Sequence, residues 1–216
     1  MEDQGSAAAR GTNALAARRA SMLAAVLAIS GELGYREATV ERIAERSGVT
    51  VSQFYASFPN REECFATAYE EQAEILLTRT IGTVEKAPKS RDGIRAALVE
   101  LTEFVTREPT LARALLAEVY VAGGTALARH EQNLRRLSDA VADTRRESNS
   151  TRHDPPPVTA SFIVGAIEEA VRRRLVEKRP ELLWDDLPEL ASLAVGPYLG
   201  DQAAEEERQR PADESD

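Results

Sequence analysis

The stretch Thr39–Phe58, TVERIAERSGVTVSQFYASF, constrains the fold of this chain more than any other. Val40, Ile43 and Ala44 recur at helical spacing, Glu41, Arg42 and Glu45 fall outward, and Thr39 precedes them as an N-cap. This predicts two turns of helix starting at Thr39. Gly48 stands where the chain must reverse, and glycine takes a positive φ there at no steric cost, so the helix stops near Ser47. Thr50 opens a second helix with Gln53 three residues on, a T-x-x-Q capping box, and Phe54 and Phe58 lie on its inner face. Two short helices joined by a glycine turn form a helix-turn-helix, whose second helix fits a DNA major groove.

With 216 residues, one cysteine and no apolar run long enough to span a membrane, the expectation is a soluble intracellular protein of one or two domains. The first twenty residues, MEDQGSAAARGTNALAARRA, lack the apolar core of a signal peptide, which places the protein in the cytoplasm. Ala, Leu, Glu and Arg dominate, aromatics are few and no alternating Val/Ile/Thr runs appear, so an all-α fold is favoured. The net charge of −9 argues against nonspecific coating of DNA. Its distribution is uneven, however. Residues 10–61 hold seven arginines against four glutamates, a balance of +3, whereas the chain after Arg61 carries −10. A basic head on an acidic body steers one end toward phosphate and leaves site-specific binding open.

Residues 1–13 are small and polar and read as a disordered arm. Arg18 and Arg19 follow at the start of a first helix whose stripe is Met22, Val26, Ile29 and Leu33. Asn60 caps a long helix to about Val84, with Glu63 as its N3 partner and Cys64 on its apolar face, where an inert thiol is expected. Ala87-Pro88-Lys89-Ser90 breaks the chain. An amphipathic helix through Ile94, Leu98, Leu101, Phe104 and Val105 then ends near Arg107. Pro109 opens another with Leu111, Leu115, Leu116, Val119 and Tyr120, closed by Gly123-Gly124. A charged helix runs from about Thr125, a loop SNSTRHDPPP follows, and helices from about Val158 to Lys178 and from about Asp186 to Tyr198 come last. The tail 201–216, with seven acidic residues against two arginines, reads as disordered.

Gly34-Tyr35, Ala38-Thr39-Val40, Ile43-Ala44, Ser47-Gly48-Val49-Thr50, Phe54-Tyr55, Phe58 and Asn60-Arg61-Glu62-Glu63 resemble, in order and spacing, the N-terminal domain of TetR-family transcriptional regulators. The resemblance implies a three-helix DNA-binding domain over 14–60 and a larger helical effector-binding and dimerisation domain over 61–200, about nine helices in all. It also implies a homodimer that binds a palindromic operator, usually as a repressor, and is released by a small molecule. Two departures stand out. Ser30 occupies a place usually held by a large aromatic, which thins the head's core. Ala56 and Ser57 stand where a basic residue or histidine is frequent, which predicts weaker backbone binding and a shallower salt dependence.

Candidate DNA contacts follow from side-chain chemistry. Thr50, Val51, Ser52 and Gln53 form the first turn of the second helix, the part that reaches base edges in this motif. Gln53 suits a bidentate pair with adenine N6 and N7, worth roughly 1–3 kcal/mol of discrimination, or else closes the capping box on Thr50. Val51 offers methyls to thymine, and Ser52 reaches a base or a phosphate. Thr39 caps a helix whose N–H groups suit a phosphate. By resemblance, Arg18, Arg19, Tyr55 and Arg61 hold the DNA backbone.

In the body, the last two helices, with Phe162, Ile163, Gly165, Ala166, Ala170 and Leu193 to Val195, are expected to pack across a two-fold axis. Leu101, Phe104, Leu115, Val119, Tyr120, Phe162 and Glu169 are the candidate lining of a pocket for a small apolar effector. Each is equally suited to plain core. A regulator with no small-molecule effector is the alternative, and a helical protein–protein module is another. His130 and His153 are not spaced as a metal pair, and no glycine-rich phosphate loop appears, so no metal, cofactor or catalytic role is expected.

Overall fold

The computed structural model describes residues 3–86, 90–147 and 155–212. Every regular element among the described residues is helical: α1 (Asp3–Leu33), α2 (Val40–Ser47), α3 (Val51–Tyr55), α4 (Arg61–Lys86), α5 (Ser90–Arg107), α6 (Pro109–Arg113), α7 (Val119–Ala122), α8 (Gly124–Glu147), α9 (Thr159–Val176), α10 (Leu183–Leu199) and α11 (Asp201–Gln209). A turn of π-helix, Ala114–Glu118, joins α6 to α7, and 3-10 turns at Tyr35–Glu37 and Pro180–Leu182 precede α2 and α10.

The helix-turn-helix forms as its local chemistry dictates. Thr39 is extended and its hydroxyl accepts the Arg42 N–H, Gly48 ends α2 at φ 69°, and Thr50 caps α3. Apolar residues at helical spacing then bury inward, with Ile43, Phe54 and Phe58 at 3% exposure or less. Burial of such a side chain contributes about 1.5–3 kcal/mol. They share one core with Met22, Val26 and Ile29 of α1, Phe65 and Tyr69 of α4, and Leu115 and Val119 from the body. Head and body are therefore fused through side-chain packing as well as through α4. That helix has 26 residues, roughly 39 Å at 1.5 Å per residue.

The contact of α1 with α6 is tight enough to require glycine. A Cβ on Gly31 would lie 2.0 Å from the Thr110 carbonyl oxygen. Beside it, Ser30 is fully buried and donates to the Val26 carbonyl at 2.7 Å, so the small residue standing in an aromatic's place leaves no unpaired hydroxyl. Leu33 is 58% exposed, contrary to the expected stripe, because Ser30 rather than Leu33 continues the buried row as α1 ends.

Three further expectations are corrected. The backbone is already helical from Asp3, as the strong helix former alanine at 7–9 favours, so the arm over 1–13 is not irregular chain over its described part. Ala14–Leu33 is a run of 20 residues with mean hydropathy 1.3, long and apolar enough by length and composition to cross a bilayer. Its Met22, Val26 and Ile29 are buried in the head core instead. The acidic tail is ordered through Gln209 as α11, which packs on α10 and is tied to α5 by ion pairs. Glu207 is fully buried between Arg91 and Arg95, and Arg95 Nη1 lies 3.0 Å from its carboxylate. A buried carboxylate persists only when paired, and these arginines, more than 110 residues away in sequence, supply the pairing. The break at Ala87-Pro88-Lys89 and most of the loop after Glu147 lie outside the described residues.

Candidate nucleic-acid interface and effector cavity

The candidate reading edge is the first turn of α3. Gln53 N–H donates to Thr50 Oγ1 at 3.2 Å and Thr50 N–H donates to Gln53 Oε1 at 2.9 Å, so the capping box is closed in both directions. Thr50, Val51, Ser52 and Tyr55 are exposed and Gln53 is half-buried. The Gln53 amide thus keeps its NH2 free while its oxygen serves the box. A bidentate pair with adenine would need that oxygen as well, so base reading and capping compete for one atom. Tyr55 stacks edge-on against buried Phe54, ring centroids 5.6 Å apart, which orients an exposed hydroxyl beside the reading turn.

The cations around this edge fall into two groups. Arg42 and Arg46, both on α2, are paired with Glu37 and with Glu32, the latter through two hydrogen bonds of 2.6 and 2.7 Å. The Glu32 carboxyl is held below its ordinary range mainly by its hydrogen bond to Arg46. Arg18 is exposed and has no ion pair among the described residues. Arg19 and Arg61 lie over aromatic faces, Arg19 over Phe58 at 4.4 Å and Arg61 over Tyr35 at 4.7 Å. Arg61 also donates to the Arg36 carbonyl at 3.3 Å and pairs with Glu62. These two guanidiniums hold the head's loops and present their remaining donors outward. Asn60 caps α4 as expected, accepting the Glu63 N–H at 2.8 Å.

The body holds a partly open apolar cavity of about 130 Å³. Its walls come from α4 (Tyr69, Ala73, Leu76, Leu77, Thr80, Val84), α5 (Ile94, Ala97, Leu98, Leu101) and the π turn (Leu115, Leu116). Residues of α8 and α9, with Ala194 of α10, complete them. Of the expected lining, Leu101 and Leu115 face the cavity. The other five do not. Val119 is fully buried in the head core and Phe104 packs between that core and a smaller one around Val105. Phe162 is 77% exposed on the outer face of α9, and Glu169 points to solvent, paired with Arg172 at 2.7 Å. Tyr120 is 42% exposed, but its hydroxyl reaches inward to Glu168.

Glu168 belongs to a polar cluster that the sequence reading missed. His130 is buried at 2% exposure, with Nδ1 2.8 Å from the Tyr69 hydroxyl and Nε2 against the Glu168 carboxylate. Burial acts to raise the Glu168 pKa, but hydrogen bonds from His130 and Tyr120 outweigh it and hold the carboxyl below its ordinary range. Burial pushes the Tyr69 and Tyr120 phenols up. A signal was present in the sequence: Ala126, His130, Leu134, Leu137 and Val141 share one face of α8 at helical spacing, which sets the histidine inside.

A second polar contact joins head and body. Glu118, in the π turn, accepts the Tyr35 N–H at 2.9 Å through one oxygen and two Arg113 donors at 3.0 and 3.2 Å through the other. Single π turns inside α-helices are frequent at functional sites, and this one places Glu118 against the loop that precedes α2.

Residues 23–68 match the family model of bacterial regulatory proteins, tetR family. The chain is 27% identical over 121 residues to the HTH-type transcriptional repressor KstR of Rhodococcus jostii (strain RHA1). That match covers 56% of each chain, so this chain spans about half the length of that relative. It is 21% identical over 154 residues to the HTH-type transcriptional activator FasR of Mycolicibacterium smegmatis, covering 71% of this chain and 70% of the other. Among solved structures, the fatty acid degradation regulator FadR from Bacillus halodurans is similar with a TM-score of 0.69 at 16% identity, covering 82% of this chain and 97% of that one. The regulator FadR from Bacillus subtilis, in complex with stearoyl-CoA, gives 0.66 at 16% identity, covering 80% and 97%. These last two likenesses establish a shared fold.

Proposed function

We propose that this chain, a transcriptional regulator of the TetR family, is a repressor that binds a palindromic operator as a homodimer and leaves it when a small molecule fills the body cavity. The observation that carries this reading is the course of α4. It begins at Arg61, stacked on Tyr35 in the head, and six of its residues from Tyr69 to Val84 line the cavity. A molecule that spreads the cavity walls tilts this helix and carries the head with it. Linkage is reciprocal, so an effector that weakens DNA binding is itself bound more weakly on DNA.

Residues 14–60 form the reading head in this account, with Thr50, Val51, Ser52 and Gln53 reading bases and Arg18, Arg19, Thr39, Tyr55 and Arg61 holding phosphates. Residues 61–200 bind the effector and the second subunit. The dimer surface is assigned to α9 and α10, where Phe162, Val158 and Leu193 are each more than half exposed and Gly165 and Ala166 permit close helix approach. An exposed phenylalanine of this kind is costly on a monomer and useful at an interface. Nothing in this mechanism calls for catalysis.

The test is a gel shift and footprint on the DNA flanking the protein's own gene. The expected outcome is protection of an imperfect palindrome with half-sites about one helical turn apart. Addition of a molecule that raises the melting temperature should release it. Protection of a single unsymmetrical half-site would overturn the dimeric reading, and a stabilising molecule that leaves the footprint unchanged would overturn effector release.

A further inference from the structure

The cavity wall carries one carboxylate, Glu168, which is held by hydrogen bonds with His130 and Tyr120. Among the described residues that line it, Glu168 is the only carboxylate, and none is lysine or arginine. The polar atoms nearby are largely used by one another. The Tyr69 hydroxyl meets His130 Nδ1, and Glu168 takes both His130 Nε2 and the Tyr120 hydroxyl on one oxygen, Oε1, while the neutral amide of Asn133 also lines the cavity. The cationic neighbour of Glu168, Arg172 one turn further along α9, is directed outward and forms a bidentate pair with Glu169. Everything else facing the interior is aliphatic, apart from Thr80, whose hydroxyl is returned to the Leu76 carbonyl at 2.9 Å.

An anion entering this space would lose its hydration, meet no lysine or arginine among the described lining residues and approach Glu168 across a medium that screens poorly. A neutral molecule meets only the ordinary cost of burying its polar group, and it gains a strong acceptor if that group is a donor. A cation would be drawn to the same carboxylate, whose second oxygen takes neither of these hydrogen bonds. The volume sets the scale: about 130 Å³ is near the roughly 150 Å³ of an engineered apolar cavity that takes up benzene.

Resting on the effector reading above, we infer that the effector is a ring-sized apolar molecule bearing a neutral hydrogen-bond donor or a positive charge directed at Glu168, and that carboxylates are excluded from this cavity.

Three probes with one skeleton and three charges decide the matter: benzyl alcohol, benzylamine and benzoate, titrated into the full-length protein at neutral pH and followed by thermal shift and calorimetry. The alcohol and the amine should raise the melting temperature in a saturable way, and the amine should bind roughly tenfold or more tightly than benzoate. Glu168→Gln keeps the shape and removes the charge, so benzoate should then bind within about threefold of the alcohol. Ala73→Phe fills the cavity and should abolish binding of all three. The ranking on the unaltered protein stands without either variant. Benzoate binding at least as tightly as the alcohol would overturn the charge inference and leave effector binding intact. Failure of all three to bind, or binding untouched by Ala73→Phe, would overturn the cavity as the effector site.

Discussion

The Glu118 carboxylate accepts the backbone N–H of Tyr35 at 2.9 Å, and this buried contact spans 83 residues from the body's π turn to the loop ahead of the reading helices. Leu115 and Leu116 of the same turn line the cavity. One short segment thus touches both the cavity and the candidate DNA-binding head. Glu118→Ala strips the acceptor from a buried N–H and the partner from Arg113, for an expected loss of about 1–3 kcal/mol. Urea denaturation measures it, and Glu118→Gln, which keeps an acceptor for Tyr35, should lose less. Equal midpoints for all three proteins would mean that this contact does not couple the parts.

At the reading edge, Gln53→Ala removes a candidate base contact and half of the capping box together. Specificity at one base pair per half-site should relax, and helix capping should weaken by about 1 kcal/mol, seen as a lower thermal midpoint without DNA. Tyr55→Phe should weaken all sequences alike, since the exposed hydroxyl is assigned to phosphate. Competition binding against single-base operator variants separates the two patterns.

Stability should fall in acid for a specific reason. Glu168 and Asp186 both titrate below their ordinary ranges. In Glu168 burial is outweighed by hydrogen bonds from His130 and Tyr120, and Asp186 is lowered chiefly by its hydrogen bond to Arg174. A carboxyl with a folded pKa below its unfolded one contributes stability above the unfolded value, and that contribution is lost as pH falls through the folded value. Thermal midpoints measured from neutral pH downward should therefore decline, less steeply in Glu168→Gln. An identical pH profile for that variant would contradict the assignment.

Cys64 is fully buried and burial pushes its thiol up to about 12. A thiol-specific reagent at mildly alkaline pH should label it only at the rate at which the protein opens. Rapid labelling of the native protein would show that the head core is not closed around it.

How far the sequence revealed these features depends on the range of the interactions that make them. The α2–turn–α3 unit was legible to the residue because its determinants are local: Thr39, Gly48 and the Thr50–Gln53 box each act within one turn. The cavity was legible in kind but not in register. Phe162 and Glu169 were expected inside, yet their neighbours Ile163 and Glu168 line the cavity. One position on a helix turns a side chain by 100°, and α9 carries apolar residues on both its core face and its outer face, so periodicity alone does not select between them. The tail misled for the opposite reason. Its composition speaks for disorder, but Glu207 is neutralised by Arg91 and Arg95, a pairing invisible until α5 and α11 are brought together. The π turn also left no mark in the sequence, because Pro109 to Ala122 reads as one uninterrupted helix.

The central claim is that two copies of α3 read DNA about a two-fold axis. Selection of binding sites from a pool of random duplexes, run in parallel with the unaltered protein and with Gln53→Ala, tests it most directly. The account predicts an inverted repeat for the unaltered protein and, for the variant, loss of preference at one position in each half-site, placed symmetrically. A selected motif without inverted symmetry, or one identical for both proteins, would contradict it.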